Sequence, residues 1–186
     1  MTTNTNIEQE LTQSELVEAI RSSASDVFST MLSLELCTGE VFVEKEEAMA
    51  ASGVVSIVGL AGSWVGSGSV SCSAEVACTI ASHLLQTEYG SVNEEVLDSV
   101  AEVTNMIIGN VKTKLEERLG PMGLSTPTVI YGRNFQTRSA RNQEWTVVPF
   151  SLGEGRMCIQ MCMVPNPDAA KRVSRPGFPI PCVLNV

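Results

Sequence analysis

Asp98, Glu102, Asn105, Gly109 and Lys112 are the residues whose types and spacing could do chemistry together. The hydrophobic pattern predicts a helix from about residue 93 to 119, and at 100° per residue these five fall within about 80° of one another. Val96, Val100, Val103, Ile107 and Val111 take the opposite side, which must face the rest of the fold. Glu102 and Asn105 are i, i+3 neighbours, so they project together into solvent or a partner. By spacing alone this is also the composition of an ordinary solubilising face. Gly109 weakens a helix by about 1 kcal/mol relative to Ala, and its missing side chain lets another surface come close.

Other chemistries lack their parts. A nucleophilic triad needs a base, and the only histidine, His83, sits mid-helix among Ile80, Leu84 and Leu85, where a structural role fits better. No Gly-x-Ser-x-Gly elbow occurs. Zinc requires three or four clustered ligands, which one histidine and scattered cysteines do not supply. The six cysteines, at 37, 72, 78, 158, 162 and 182, form no Cys-x-x-Cys pair. Cys158 and Cys162 fall four apart in a strand-like run, on one sheet face, where packing explains them better than metal. Gly59, Gly62, Gly66 and Gly68 match neither Gly-x-Gly-x-x-Gly nor a P-loop, and point to a tight hairpin with close backbone approach.

The elements that must position the stripe follow from pattern. A first helix is expected from Gln13-Ser14-Glu15 onward, capped by Ser14, with Leu16, Ile20, Val27, Met31 and Leu34 at helical intervals until Gly39. Strands are expected over 40–44, 53–60 and 63–72, then a second helix from Ser73 to about Gln86. The long helix follows, stopped by Gly120-Pro121. Strands over 126–131, 144–152 and 156–164 complete the order, with Gly153-Glu154-Gly155 closing a hairpin between the last two. The order α-βββ-α-α-βββ suggests a duplicated α-βββ unit, an α+β fold with helices packed on a largely antiparallel sheet. Residues 1–12 form a polar extension, 13–165 the domain, and 166–186 a Pro-rich tail that could add an edge strand over 181–186.

The 186 residues are 44% hydrophobic and 18% charged with net charge −9, which suits one folded domain rather than a disordered chain. No run approaches the roughly 20 apolar residues of a membrane span, and MTTNTNIEQE has no signal-peptide pattern, so membrane insertion is not expected and a cytoplasmic location is. Charge is uneven: residues 1–132 carry −13 and residues 133–186 carry +4. So acidic a core repels phosphate backbones and excludes nucleic acid as a partner.

The stretch Asp98-Ser-Val-Ala-Glu102-Val-Thr-Asn105-Met-Ile-Ile-Gly109-Asn-Val-Lys112, followed by Leu124-Ser-Thr-Pro127-Thr-Val-Ile-Tyr-Gly132, resembles the CheC/CheX group of chemotaxis phosphatases. That group's signature is Asp/Ser-x-x-x-Glu-x-x-Asn with a later proline, and Asp98, Glu102, Asn105 and Pro127 match it. The Asn-Met-Ile-x-Gly-Asn-x-Lys continuation and the Leu-Ser-x-Pro run look closest to CheX. CheC-like proteins can carry two such sites, one per half. The first helix here contains no Glu-x-x-Asn, so a single site is expected, as in CheX.

The resemblance implies hydrolysis of the aspartyl phosphate of a CheY-like response regulator. Asn105 would hold the attacking water and Glu102 would meet the regulator's active-site lysine. Asp98, Gly109 and Lys112 would contact the partner, and Pro127 would be structural. No cofactor would be bound by the chain itself, Mg²⁺ arriving with the regulator, and a homodimer is implied. Two other readings stay open. One is a non-catalytic scaffold for a regulator or a flagellar or sensory partner, and the other an oligomer that uses the stripe as its own interface.

Overall fold

The computed structural model describes residues 10–44, 50–136 and 144–169. The N-terminal nine residues, most of the Pro-rich tail and the 181–186 edge strand lie outside them. Helix α1 (Gln13–Val27) starts one residue before the expected Ser14 cap. Thr12 caps it instead, its hydroxyl accepting from Glu15 N at 3.3 Å while Thr12 N donates to the Glu15 carboxylate at 2.9 Å. Its last turn winds as π-helix over Phe28–Leu32 and ends at Ser33, well before Gly39. The wider turn rotates the apolar face, so Phe28 and Leu32 are buried and Met31 is left exposed.

The strands are β1 (Cys37–Thr38), β2 (Phe42–Glu44), β3 (Ala50–Gly62), β4 (Trp64–Cys72), β5 (Met122–Leu124), β6 (Thr128–Gln136), β7 (Trp145–Leu152) and β8 (Gly155–Pro165). Helices α2 (Ala74–Leu85) and α3 (Glu94–Leu119) lie between β4 and β5, opened by Ser73 and Asn93, whose side chains accept from the amides of Val76 and Val96. The fold is therefore α+β, with α1, α2 and α3 as its helices of several turns among the described residues and an antiparallel sheet. Two strands differ from expectation. The single strand over 40–44 is split into β1 and β2, and that over 126–131 begins at Thr128 and runs to Gln136, with an unforeseen β5 before it.

The sheet order is β1-β7-β8-β4-β3-β5, with β2 also on β7 and β6 also on β3. The pairing pattern is the same from either end: two edge strands on one strand, then a central strand. Each half's first two strands pair with the third strand of the other half, and β4 meets β8 in the middle. That interlocked symmetry is the structural form of the duplication, with α1 and α3 as counterparts.

Helix α3 is packed against both other helices and against β3, β4, β5 and β6. Val96, Val100, Val103, Ile107, Ile108 and Val111 are fully buried, each contributing roughly 1.5–3 kcal/mol relative to exposure. Gly62, at φ 153°, lies in the connection after the last β3–β4 pair, Leu60 with Gly66, whereas Gly66 and Gly68 lie within β4. Their reason is close approach. A Cβ on Gly68 would stand 2.6, 3.0 and 3.2 Å from the Cδ1, Cγ1 and Cγ2 of Ile108. Ile108 is β-branched and fully buried, so it has little room to turn away. Gly68→Ala is expected to cost roughly 1–3 kcal/mol by overpacking, and Ile108→Val, which removes the nearest carbon, to recover part of that in the double variant. Denaturant titrations of the two singles and the double give the coupling. Simple additivity would mean that Ile108 does not set the helix–sheet distance.

Candidate functional site

With its buried arc fixed on the sheet, α3 turns the predicted stripe outward. Asp98 and Glu102 are exposed, while Asn105 and Gly109 are half-buried along the same line. None of the side chains of Asp98, Glu102 and Asn105 has a hydrogen bond or ion pair among the described residues. A carboxylate and a carboxamide one helical turn apart are thus held by a rigid element and left without internal partners. At Gly109 an added Cβ would rest 3.7 Å from Leu124 Cδ1, an ordinary contact, so the fold itself does not demand glycine there.

Lys112 is engaged within the chain. Its ammonium donates to Glu116 Oε2 at 2.7 Å, and Glu116 Oε1 accepts from Met122 N at 2.9 Å. This pair ties the end of α3 to the start of β5. The Lys112 hydrogen bond and the Met122 amide hold the Glu116 carboxyl below its ordinary value. Lys112 belongs to the stripe by position, and its charge is already directed at Glu116.

The Leu124-Ser-Thr-Pro127 segment runs beside this face. Ser125 N donates to Gly59 O at 2.9 Å, Gly59 N donates to Ser125 Oγ at 2.9 Å, and that hydroxyl donates to Thr126 O at 2.9 Å. Pro127 immediately precedes β6, where its missing N–H interrupts no ladder bond. The Ser125–Gly59 clamp is a positioning feature that spacing did not single out. Its two signals, Gly59 in an apolar strand and serine in the Leu-Ser-x-Pro run, lie 66 residues apart.

Among the described residues, the cavities lie elsewhere. One of about 700 Å³ is lined by Ala74, Cys78, His83, Tyr89, Val92 and Tyr131 among others. His83 shares a hydrogen bond of 2.8 Å with Leu32 O through Nδ1, linking α2 to the end of the first helix. Cys158 and Cys162 share the sheet face away from the helices, opposite Ser71 and Ser67. No group of three or more His, Cys, Asp or Glu that could hold a metal occurs among the described residues. Glu102 and Asn105 line none of these cavities and sit on the outward arc of α3. The first half of α3 is acidic, with Glu94, Glu95, Asp98 and Glu102, and the one cation of the stripe, Lys112, is already paired with Glu116.

The family model described as chemotaxis phosphatase CheX matches residues 54–151, just over half of the chain. A CheY-P phosphatase CheX of Thermotoga maritima is 28% identical over 125 residues, which are 67% of this chain and 80% of that protein. The structure of a chemotaxis protein CheX from Desulfovibrio desulfuricans superposes with a TM-score of 0.73 at 25% identity, over 81% of this chain and 99% of that one. A CheX–CheY–BeF3–Mg²⁺ complex from Borrelia burgdorferi matches with a TM-score of 0.65 at 32% identity, over 80% of this chain and 97% of that one.

The corner that ends the stripe makes stability depend on acid in a defined direction. Because the folded pKa of Glu116 lies below its ordinary value of 4.5, the stabilisation is complete above that value and is lost as pH falls through the folded pKa. Glu116→Gln should be less stable at neutral pH and should lose this part of the acid dependence. Thermal unfolding across the carboxylate range checks it, and parallel pH curves for the two proteins would contradict it.

Proposed function

Since this chain belongs to the chemotaxis phosphatase CheX family, we propose that it hydrolyses the aspartyl phosphate of a CheY-like response regulator through Glu102 and Asn105. The carrying observation is the unpartnered pair on an outward helix face, at the positions that match the family's signature. Neither residue lines a described cavity that could enclose a small phosphoester, which favours a phosphoryl group presented by a partner with its own concave site.

In this reading water attacks phosphorus in line. The bond from phosphorus to the aspartyl oxygen breaks, leaving the regulator's carboxylate and inorganic phosphate. Asn105 accepts a hydrogen bond from the water through its carboxamide oxygen and fixes its direction of attack. Glu102 receives the ammonium of the regulator's active-site lysine and so sets the docking register. The regulator contributes the lysine and Mg²⁺, because an acidic face offers the transferring group little positive charge of its own. Asp98 and Gly109 belong to the contact surface, and Lys112 steadies its end through Glu116. The Borrelia complex of CheX with CheY, BeF3 and Mg²⁺ supports this choice of partner. A cytoplasmic homodimer belongs to the same reading.

Asn105→Ala should lower the rate of regulator dephosphorylation on the order of 10²-fold or more while leaving regulator affinity nearly intact, as expected for a positioning group. Phosphate release measured beside binding separates the roles, and an undiminished rate would leave a binding module only. Gly109→Ala should raise the stability of the chain by about 1 kcal/mol, since helix propensity improves without a clash. It should weaken regulator binding if the partner approaches the stripe closely. Equal affinity in the two proteins would remove Gly109 from the contact.

A further inference from the structure

The symmetry of the sheet makes α1 the counterpart of α3, and the two helices match beyond their placement. The six buried residues of α1 from Leu16 to Val27 recur at the spacing of the six buried residues of α3 from Val100 to Val111. In that register Ser14, Glu18 and Arg21 occupy the positions of Asp98, Glu102 and Asn105. Exposure matches as well: Ser14 and Glu18 are exposed like Asp98 and Glu102, and Arg21 is half-buried like Asn105. The signature Asp/Ser-x-x-x-Glu-x-x-Asn is therefore present on α1 except at its last residue, where asparagine is replaced by arginine.

Arg21 is unusual in its own right. Its guanidinium has no hydrogen bond or ion pair among the described residues, and Nε is buried with no partner. The other basic residues of the described helices are paired: Lys112 with Glu116, Lys114 with Asp26, and Arg118 with Glu15. A partly desolvated cation without a counter-ion is costly, and an arriving anion would relieve it.

We propose that the outward face of α1, through Glu18 and Arg21, is a second docking site that binds the phosphorylated regulator without hydrolysing its phosphate. The inference rests on the regulator being the partner of the α3 face. Glu18 takes the regulator's lysine as Glu102 does, and Arg21 meets the phosphoryl oxygens. The difference in outcome follows from donor and acceptor inventory. A carboxamide has an oxygen that accepts a hydrogen bond from water and can aim it. A guanidinium has five donors and no acceptor, so it holds phosphoryl oxygens well and cannot orient a nucleophilic water.

The test is calorimetric titration with a CheY-like regulator charged with BeF3⁻ and Mg²⁺, a phosphoryl mimic that cannot turn over. Two regulators per wild-type chain are expected, one after Glu102→Lys, one after Arg21→Glu, and none in the double variant. Arg21→Gln, which keeps most of the side chain's length, should weaken the second site at least about tenfold and guards against misfolding of the glutamate variant. Arg21→Asn placed in Asn105→Ala should restore measurable phosphate release. One regulator per wild-type chain, lost with Glu102→Lys, would overturn the α1 site and leave the α3 reading standing. Two regulators retained in both Arg21→Glu and Arg21→Gln would place the second site elsewhere. A wild-type chain that neither binds nor dephosphorylates a regulator would defeat the α3 reading and this one with it.

Discussion

The approach of Ile108 to Gly68 is the contact on which the arrangement of the site depends. It fixes the rotation of α3 about its axis, because the side chains between Val96 and Leu119 that share the Ile108 arc are all turned inward with it. Once that arc is committed to the sheet, the opposite arc has no choice but solvent. Asp98, Glu102 and Asn105 are outward because the valines and isoleucines between them are inward. A rotation of one residue, 100°, would carry the stripe to the flank of the helix bundle and separate its members from any common partner.

Rigidity and chemical incompleteness go together here. The helix is capped by Asn93, tied at its far end by the Lys112–Glu116–Met122 link, and flanked by a segment clamped to Gly59. Such a support holds two polar groups without internal hydrogen bonds to bias them. Yet the one cation of the stripe, Lys112, is already paired with Glu116, which leaves little positive charge to neutralise a phosphoryl group. The face is prepared to position and not to stabilise charge, which suits a surface that completes a site carried by another molecule.

Much of this was legible in the sequence, for physical reasons that also explain what was not. Helical periodicity at Val96, Val100, Val103, Ile107 and Val111 is strong, so the orientation of α3 and its polar stripe could be read directly. The strand pattern of β3, β4, β7 and β8 was equally plain, because those strands are long and bury their helix-facing residues. The short strands β1, β2 and β5 were not separable, since two or three residues carry no period. Met31 was misplaced because a π-helical turn shifts the phase of a helix without any change in composition. The role of Lys112 depends on Glu116 and on an amide across the β5 corner, and Ser125 answers to Gly59 across the sheet. Those relations exist only once the chain is folded.

Interlocking also limits how the two halves can diverge. Because β1 and β2 are completed by β7, and β5 and β6 by β3, neither half can bury its edges alone. The inward residues of α1 and α3 are held to one pattern by the shared core, whose packing tolerates little change in volume. The outward residues escape that constraint. Duplication of such a unit therefore preserves two matched helix faces as frames and leaves their chemistry to a few exterior positions. At one of these, one half carries asparagine, whose side chain both donates and accepts hydrogen bonds, and the other carries arginine, which only donates. The fold sets where each face points, and the exterior residues alone set the hydrogen-bonding capacity it presents.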